Sequence, residues 1–188
     1  MIYTSFLKKV FGVKEKKSEI ELARESGVII GKNCRFVGNI NWGSEPYLIR
    51  LGDHVSLTNV TFVTHDGGVW VFREAEPEID VIRPINVGNN VFIGHACIIM
   101  PGVKIGDNVV IGAGAVVTKN VPSNSVAIGV PAKVLKNIDE YRASLDSSIT
   151  QTKYLSSLEK KNISLKNIAI SFRLAYVTFY FLNKQHKE

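Results

Sequence analysis

Aliphatic residues recur every six positions through the middle of this chain, and few backbones share that period. Val87, Ile93, Ile99, Ile105, Ile111 and Val117 keep the step, and the earlier trio Leu51, Leu57 and Val63 keeps the same one. Glycine follows many of them, as in Ile30-Gly31, Leu51-Gly52, Val87-Gly88, Ile93-Gly94, Ile105-Gly106 and Ile111-Gly112. Four residues after the aliphatic comes a small or β-branched residue: Val55, Thr61, Val91, Cys97, Val103, Val109, Ala115 and Val121. Neither a helical period near 3.6 nor strand alternation explains a repeat of six. An all-β solenoid does, namely a parallel β-helix with three short sides per coil, each hexad lending its aliphatic and its small residue to the interior. Coils then stack at about 4.8 Å, the ordinary strand spacing, and equivalent aliphatics pile into ladders. Cys97 and Cys34 both stand at the small inward position and read as core hydrophobes, not as a disulfide.

The clock also marks the domain plan. After Ile30 and Phe36 it slips by three before Leu51, so GNINWGSEPYLIR holds an insertion or an irregular corner. After Val63 the next coil waits until Val87, and residues 66–86 form a loop. Past VPSNSVAIGVPAKVLK the pattern ends, and IDEYRASL opens a helix. The expectation is an N-terminal helical segment over 1–25, the solenoid over 26–135 and a mostly helical tail over 136–188.

Charge excludes one class of partner. The net charge is +6, but residues 26–135 hold eight Lys/Arg and eight Asp/Glu, so the excess lies at the two ends. No basic run interleaved with aromatics offers a nucleic-acid surface. No run of about 20 apolar residues would span a bilayer, and MIYTSFLKKVFGVKEKK lacks a secretory h-region and cleavage site. A cytoplasmic protein is expected. The segment ISLKNIAISFRLAYVTFYFL reads as a helix packed on the solenoid or on another subunit, with peripheral membrane contact through the basic termini as the alternative.

The order of hexads, a histidine-bearing loop in THDGG, further hexads, VTKNVP and then GVPAKV resembles the hexapeptide-repeat acyltransferases of the maltose/galactoside and polysaccharide O-acetyltransferase type. GSEPYLIRLGDHV before THDGG strengthens the likeness, which covers Gly31 to Lys136. The resemblance implies a left-handed parallel β-helix, a homotrimer with active sites between subunits, and acetyl-CoA as donor. Carried over by motif, the catalytic histidine falls on His65. The coenzyme A contacts fall on Ala113 and Gly114, on Thr118 and Lys119, on Lys133 with Lys136 close behind, and on Phe92, which keeps apolar bulk but lacks the indole N–H of the family's NNVWIG segment.

The residues themselves suit acyl transfer from a thioester, which needs a base, an oxyanion donor and a way to hold two substrates together. A neutral imidazole fits the first task near pH 7, and His65 should point outward at the mouth of the loop. Lys119, Lys133 and Lys136 lie in an acid-free stretch from Ala113 to Ile138, suited to coenzyme A phosphates; lysines at a last coil also discourage edge pairing. The loop alternates Trp70 and Phe72 with valines and predicts a protruding hairpin that packs on a neighbour or covers the acceptor site. Asp66 orients His65, caps the turn or contacts the acceptor, the first being disfavoured because adjacent residues rarely face the same way; Trp70 stacks on a sugar or fills an interface, and Asn39, Asn41 and Trp42 belong to the acceptor side.

His54 reads as an exterior residue and His186 as solvated, while His95 either lines the thioester end of the donor site or is plain surface. A three-histidine zinc site would need H-x4-H, and His95 is followed five later by Met100, so no metal is expected. The expected function is acetyl transfer from acetyl-CoA to a hydroxyl of a sugar or glycan precursor. The alternatives are N-acetylation of an amino sugar, or a metal-dependent hydratase or non-catalytic scaffold on the same fold.

Overall fold

The structure, a computed structural model, describes residues 17–146 and 149–170. It divides after Ser144 into two units. In the first, short parallel strands wind around a three-sided prism. One face carries β1 (Ile29–Ile30), β3 (Ile49–Leu51), β6 (Ile85–Val87) and β9 (Lys104–Ile105). The second carries β2 (Arg35–Val37), β4 (Val55–Thr58), β7 (Val91–Ile93), β10 (Val109–Ile111), β12 (Ser125–Ile128) and β13 (Lys133–Asn137). The third carries β5 (Thr61–Phe62), β8 (Ile98–Ile99) and β11 (Val116–Val117). The chain visits the faces in rotation, so each neighbour on a face comes from the next coil. Among the named strands of the described residues, only β12 and β13 pair antiparallel.

The inward ladders follow the hexad. Leu51, Val87 and Ile105 stack on one face, Leu57, Ile93 and Ile111 on the second, and Ile99 and Val117 on the third, all at 4% exposure or less. Each such side chain contributes about 1.5–3 kcal/mol by leaving water. Cys97 fills its expected interior place, whereas Cys34, in the first coil, is only partly buried against the core.

Two inward assignments change. Phe62, not Val63, pairs with Ile99 and is fully buried, and Val60, not Thr61, occupies the small interior position. The cause is a corner one residue short. At most corners a residue with positive φ stands three after the aliphatic, as at Asn90 and Asn108, but Asn59 takes that conformation two after Leu57, as Gly38 does two after Phe36 in the coil before. Val121 also moves, pairing with Ile105 in an aliphatic position because the last coil is shorter.

The corner from the first to the second face is tightly stacked. Gly31, Gly52, Gly88 and Gly106 line it, and a Cβ on Gly88 would lie 2.5 Å from Asp107 Oδ1 and 2.8 Å from the Gly106 backbone. Beside them the amides of Asn90, Asn108 and Asn124 hydrogen-bond in series, and His54 Nδ1 donates to Asn90 Oδ1 at 2.8 Å. His54 is thereby part of the corner.

Both ends of the prism are covered. Helix α1 (Glu19–Glu25) starts on a Ser18 capping box with Glu21 and sets Ala23 in the core beside Val28. At the other end β13 reverses direction and leads into α2 (Ile138–Ser144). The second unit holds a helix over 157–170 whose Leu158, Leu165, Ile168 and Ile170 are exposed. The start of the expected N-terminal helix, the rest of the apolar C-terminal segment and His186 lie outside the described residues. No helix among the described residues is long and apolar enough to cross a membrane.

Candidate active site

Both breaks in the hexad clock leave the prism at one corner, where the third face turns to the first, on successive coils. The earlier break follows Asn41, which bridges to Thr61, and returns through a 3₁₀ turn, Pro46–Leu48, into β3. The later break follows Phe62 and holds His65. Stacking therefore sets residues 43–45 beside residues 62–65. Glu45 Oε2 accepts a hydrogen bond from the Thr64 hydroxyl at 2.5 Å and lies 3.1 Å from His65 Nδ1. The side chain of Glu45 is 15% exposed and that of His65 40%. The Thr64 hydrogen bond, assisted by His65, holds the Glu45 carboxyl below the usual glutamate range against its partial burial.

The loop is a closed arm but not a β-hairpin. An antiparallel bridge joins His65 to Ile82, Asp66 N donates to Val81 O, and Arg83 N donates to Thr64 O. Beyond that base the predicted strand Val69–Phe72 is a 3₁₀ helix, Gly67–Phe72. Asp66 caps it, Oδ1 accepting from Gly68 N at 2.9 Å, so its carboxylate is not the partner of His65. With no second strand beyond the base to pair with, i→i+3 bonds satisfy this backbone locally. Trp70 is 73% exposed and Val71 74%, with Val69 turned inward.

The other predicted residues occupy different edges. Asn41 spends Oδ1 on its own turn, accepting from Gly43 N, and Trp42 stacks on Phe62 with ring centroids 5.2 Å apart. Thr118 and Lys119 stand exposed at the same corner as His65, two coils on. Ala113 and Gly114 form the opposite edge of the third face, where Gly114 N donates to His95 O at 2.8 Å. His95 Nδ1 meets Asn59 Nδ2 at 2.9 Å, and Asn59 Oδ1 already accepts from Asn39 N, so the amide donates and the neutral His95 proton sits on Nε2. Phe92 lies on the outer second face, in register with Ser56 and Val110, in a row that continues through Val126 to Lys136. Lys133 is exposed on β13. No ion pair engages Lys119, Lys133 or Lys136 among the described residues. One chain thus gathers Glu45, Thr64 and His65 with Lys119 at one edge, and sets Ala113, Gly114 and Phe92 beyond the other.

The family described as bacterial transferase hexapeptide (six repeats) matches residues 84–119. Protein CapG of Staphylococcus aureus is 51% identical over 152 residues, covering 79% of this chain and 88% of CapG. Galactoside O-acetyltransferase of Escherichia coli K12 is 38% identical over 143 residues, covering 72% and 68%. The chain belongs to the hexapeptide-repeat acetyltransferase family. Among solved structures, this acetyltransferase superposes on a galactoside acetyltransferase in complex with coenzyme A with a TM-score of 0.54, 32% identity, and coverage of 69% and 76%. A maltose O-acetyltransferase from Clostridium difficile 630 gives 0.51, 32%, and coverage of 72% and 84%.

Sequence reasoning singled out His65 but missed Glu45. A signal existed, since Glu45 sits in the GSEPYL insertion whose phase slip was visible. What could not be read was that the two insertions share a corner.

Proposed function

We propose that this chain transfers an acetyl group from acetyl-CoA to a hydroxyl of a sugar or glycan precursor, with His65 as general base. The observation that carries the reading is the half-exposed His65 imidazole, fixed at the base of the arm by its Nδ1 contact with Glu45. The imidazole takes the acceptor proton as the acceptor oxygen attacks the thioester carbonyl, a backbone N–H holds the oxyanion, and the proton passes to the leaving coenzyme A sulfur. Lys119, Lys133 and Lys136, without an ion pair among the described residues and in an acid-free stretch, suit the donor's phosphates. Phe92 and the Ala113–Gly114 turn would line its extended arm.

The separation of these groups across the third face supports a homotrimer of left-handed β-helices, in which the His65 edge of one subunit meets the Ala113 edge of the next. Trp70, Val71 and Phe72 on the arm would pack on that neighbour or cover the acceptor, and Asp66 and Asn41 would flank it. Residues 26–135 form the acyltransferase portion in this reading, and the site is cytoplasmic. Among the described residues no group of three or more metal-ligating side chains is placed to hold an ion.

The test is thiol release from acetyl-CoA with a panel of sugars and nucleotide sugars, including amino sugars to separate O- from N-acetylation. His65→Ala should lower turnover at least about 100-fold. Activity within a few-fold of the parent would remove His65 from this role, and a sedimentation mass other than three chains would remove the shared site.

A further inference from the structure

The geometry points to Glu45 as a positioning residue that fixes the tautomer of His65, holding the proton on Nδ1 so that Nε2 is the atom that accepts the acceptor's proton. This rests on the reading of His65 as base and adds the residue that makes one ring nitrogen, and not the other, the basic one.

The approach is built into the chain. Gly43 has φ +70, and a Cβ there would stand 2.9 Å from Phe62 O and 3.3 Å from Thr64 Oγ1, so the insertion reaches the next coil only because residue 43 is glycine. Pro46 follows Glu45, keeps it out of the helical region and starts the turn that brings the chain back to β3. The side chain is thus aimed along the prism axis at Thr64 and His65.

The chemistry then leaves one assignment. Thr64 is completely buried, and its hydroxyl is satisfied by donation to Glu45 Oε2. An ionised carboxylate is acceptor-only, so the neutral imidazole 3.1 Å away must be the donor, with its hydrogen on Nδ1. No Lys or Arg pairs with Glu45 among the described residues, so its charge is directed at Thr64 and His65 alone. The other carboxylate at hand, Asp66, is engaged by Gly68 N. A neutral ring with its proton on Nε2 would present a donor where a base is needed.

The tautomer can be read without turnover, by long-range proton–nitrogen correlation on the full chain labelled with nitrogen-15 histidine, the His65 signals being assigned by their loss in His65→Ala. The expected parent spectrum, taken at alkaline pH, shows Nδ1 protonated and Nε2 bare. Glu45→Ala should shift the population toward Nε2–H and lower kcat about 100-fold with the panel sugar the parent acetylates fastest, the KM for acetyl-CoA staying within twofold. Thr64→Val, which removes only the hydroxyl, should keep Nδ1–H and lose less than about 10-fold. Should Glu45→Ala fail to fold, Glu45→Leu, which has similar volume and no acceptor for Nδ1–H, takes its place. A parent ring protonated on Nε2, or a folded Glu45 variant with kcat within threefold of the parent, overturns the inference even when His65→Ala is inactive. An active His65→Ala variant overturns the base reading instead, and the parent spectrum still decides the tautomer.

Discussion

Replacing Gly88 by alanine isolates the closeness of the coils from every other property of glycine. Gly88 does not have a positive φ, so alanine adopts its backbone without strain and only the added methyl matters. That carbon would lie 2.5 Å from Asp107 Oδ1 and 2.8 Å from the carbonyl carbon and oxygen of Gly106. Asp107 could swing away, at the loss of its 2.6 Å hydrogen bond from Asn89 N, worth about 1 kcal/mol. The Gly106 carbonyl belongs to the next coil and cannot move without stretching the 2.8 Å bond from Gly88 N to Ile105 O. Overpacking of this kind costs about 1–3 kcal/mol, so the total should be about 2–4 kcal/mol. The control is Gly67→Ala, where no atom lies within 4 Å and the change should be neutral or mildly stabilising. Urea unfolding followed by circular dichroism measures both, at one fixed subunit concentration so that any self-association acts on the two variants alike. A Gly88→Ala variant no less stable than Gly67→Ala would refute the argument that stacking, and not backbone freedom, requires glycine at this corner.

Three further outcomes are expected. The carboxyl of Glu45 is depressed in the folded chain, so its contribution to stability is complete above the ordinary glutamate pKa of about 4.3 and is lost as pH falls through the lower folded value; the stability difference between parent and Glu45→Gln should shrink between pH 7 and pH 3.5, and an unchanged difference would contradict it. Burial raises the Cys97 thiol pKa, so a disulfide-exchange reagent at pH 7 should leave Cys97 unlabelled in the native protein and label it in urea; native labelling of Cys97 would contradict its placement. Lys119→Ala should raise the KM for acetyl-CoA several-fold while kcat stays within twofold, as loss of a phosphate contact remote from the reacting atoms would do; a fall in kcat alone would argue against donor binding there.

The prism was legible because its core is written at regular intervals: Val87 through Val117 could not keep a six-residue step in a helix or an ordinary strand. The error at Phe62 has a local cause, since Val63 is also apolar and nothing in TNV announces that Asn59 turns the corner one residue early. The arm misled for a related reason. Val69, Trp70, Val71 and Phe72 alternate like a strand, yet Asp66 and two glycines start a 3₁₀ turn and no partner strand waits beyond the His65–Ile82 bridge. The pairing of Glu45 with His65 was hidden because it depends on the length of a coil. Twenty residues apart in sequence, they meet because the winding returns the chain to the same corner, an outcome of register and not of any local motif.

The reversed strand β13 bears on more than the last coil. A stack of identical rungs has no intrinsic length, and an open rung presents a ready template to any other copy, the condition for indefinite polymerisation. Here α1 occupies one end of the stack, and at the other β13 runs against the grain of every rung below it, so an incoming parallel rung finds the wrong polarity on the widest face. In polymer terms the chain encodes its own initiator and terminator, and a lattice that could extend without limit stops after a fixed number of layers.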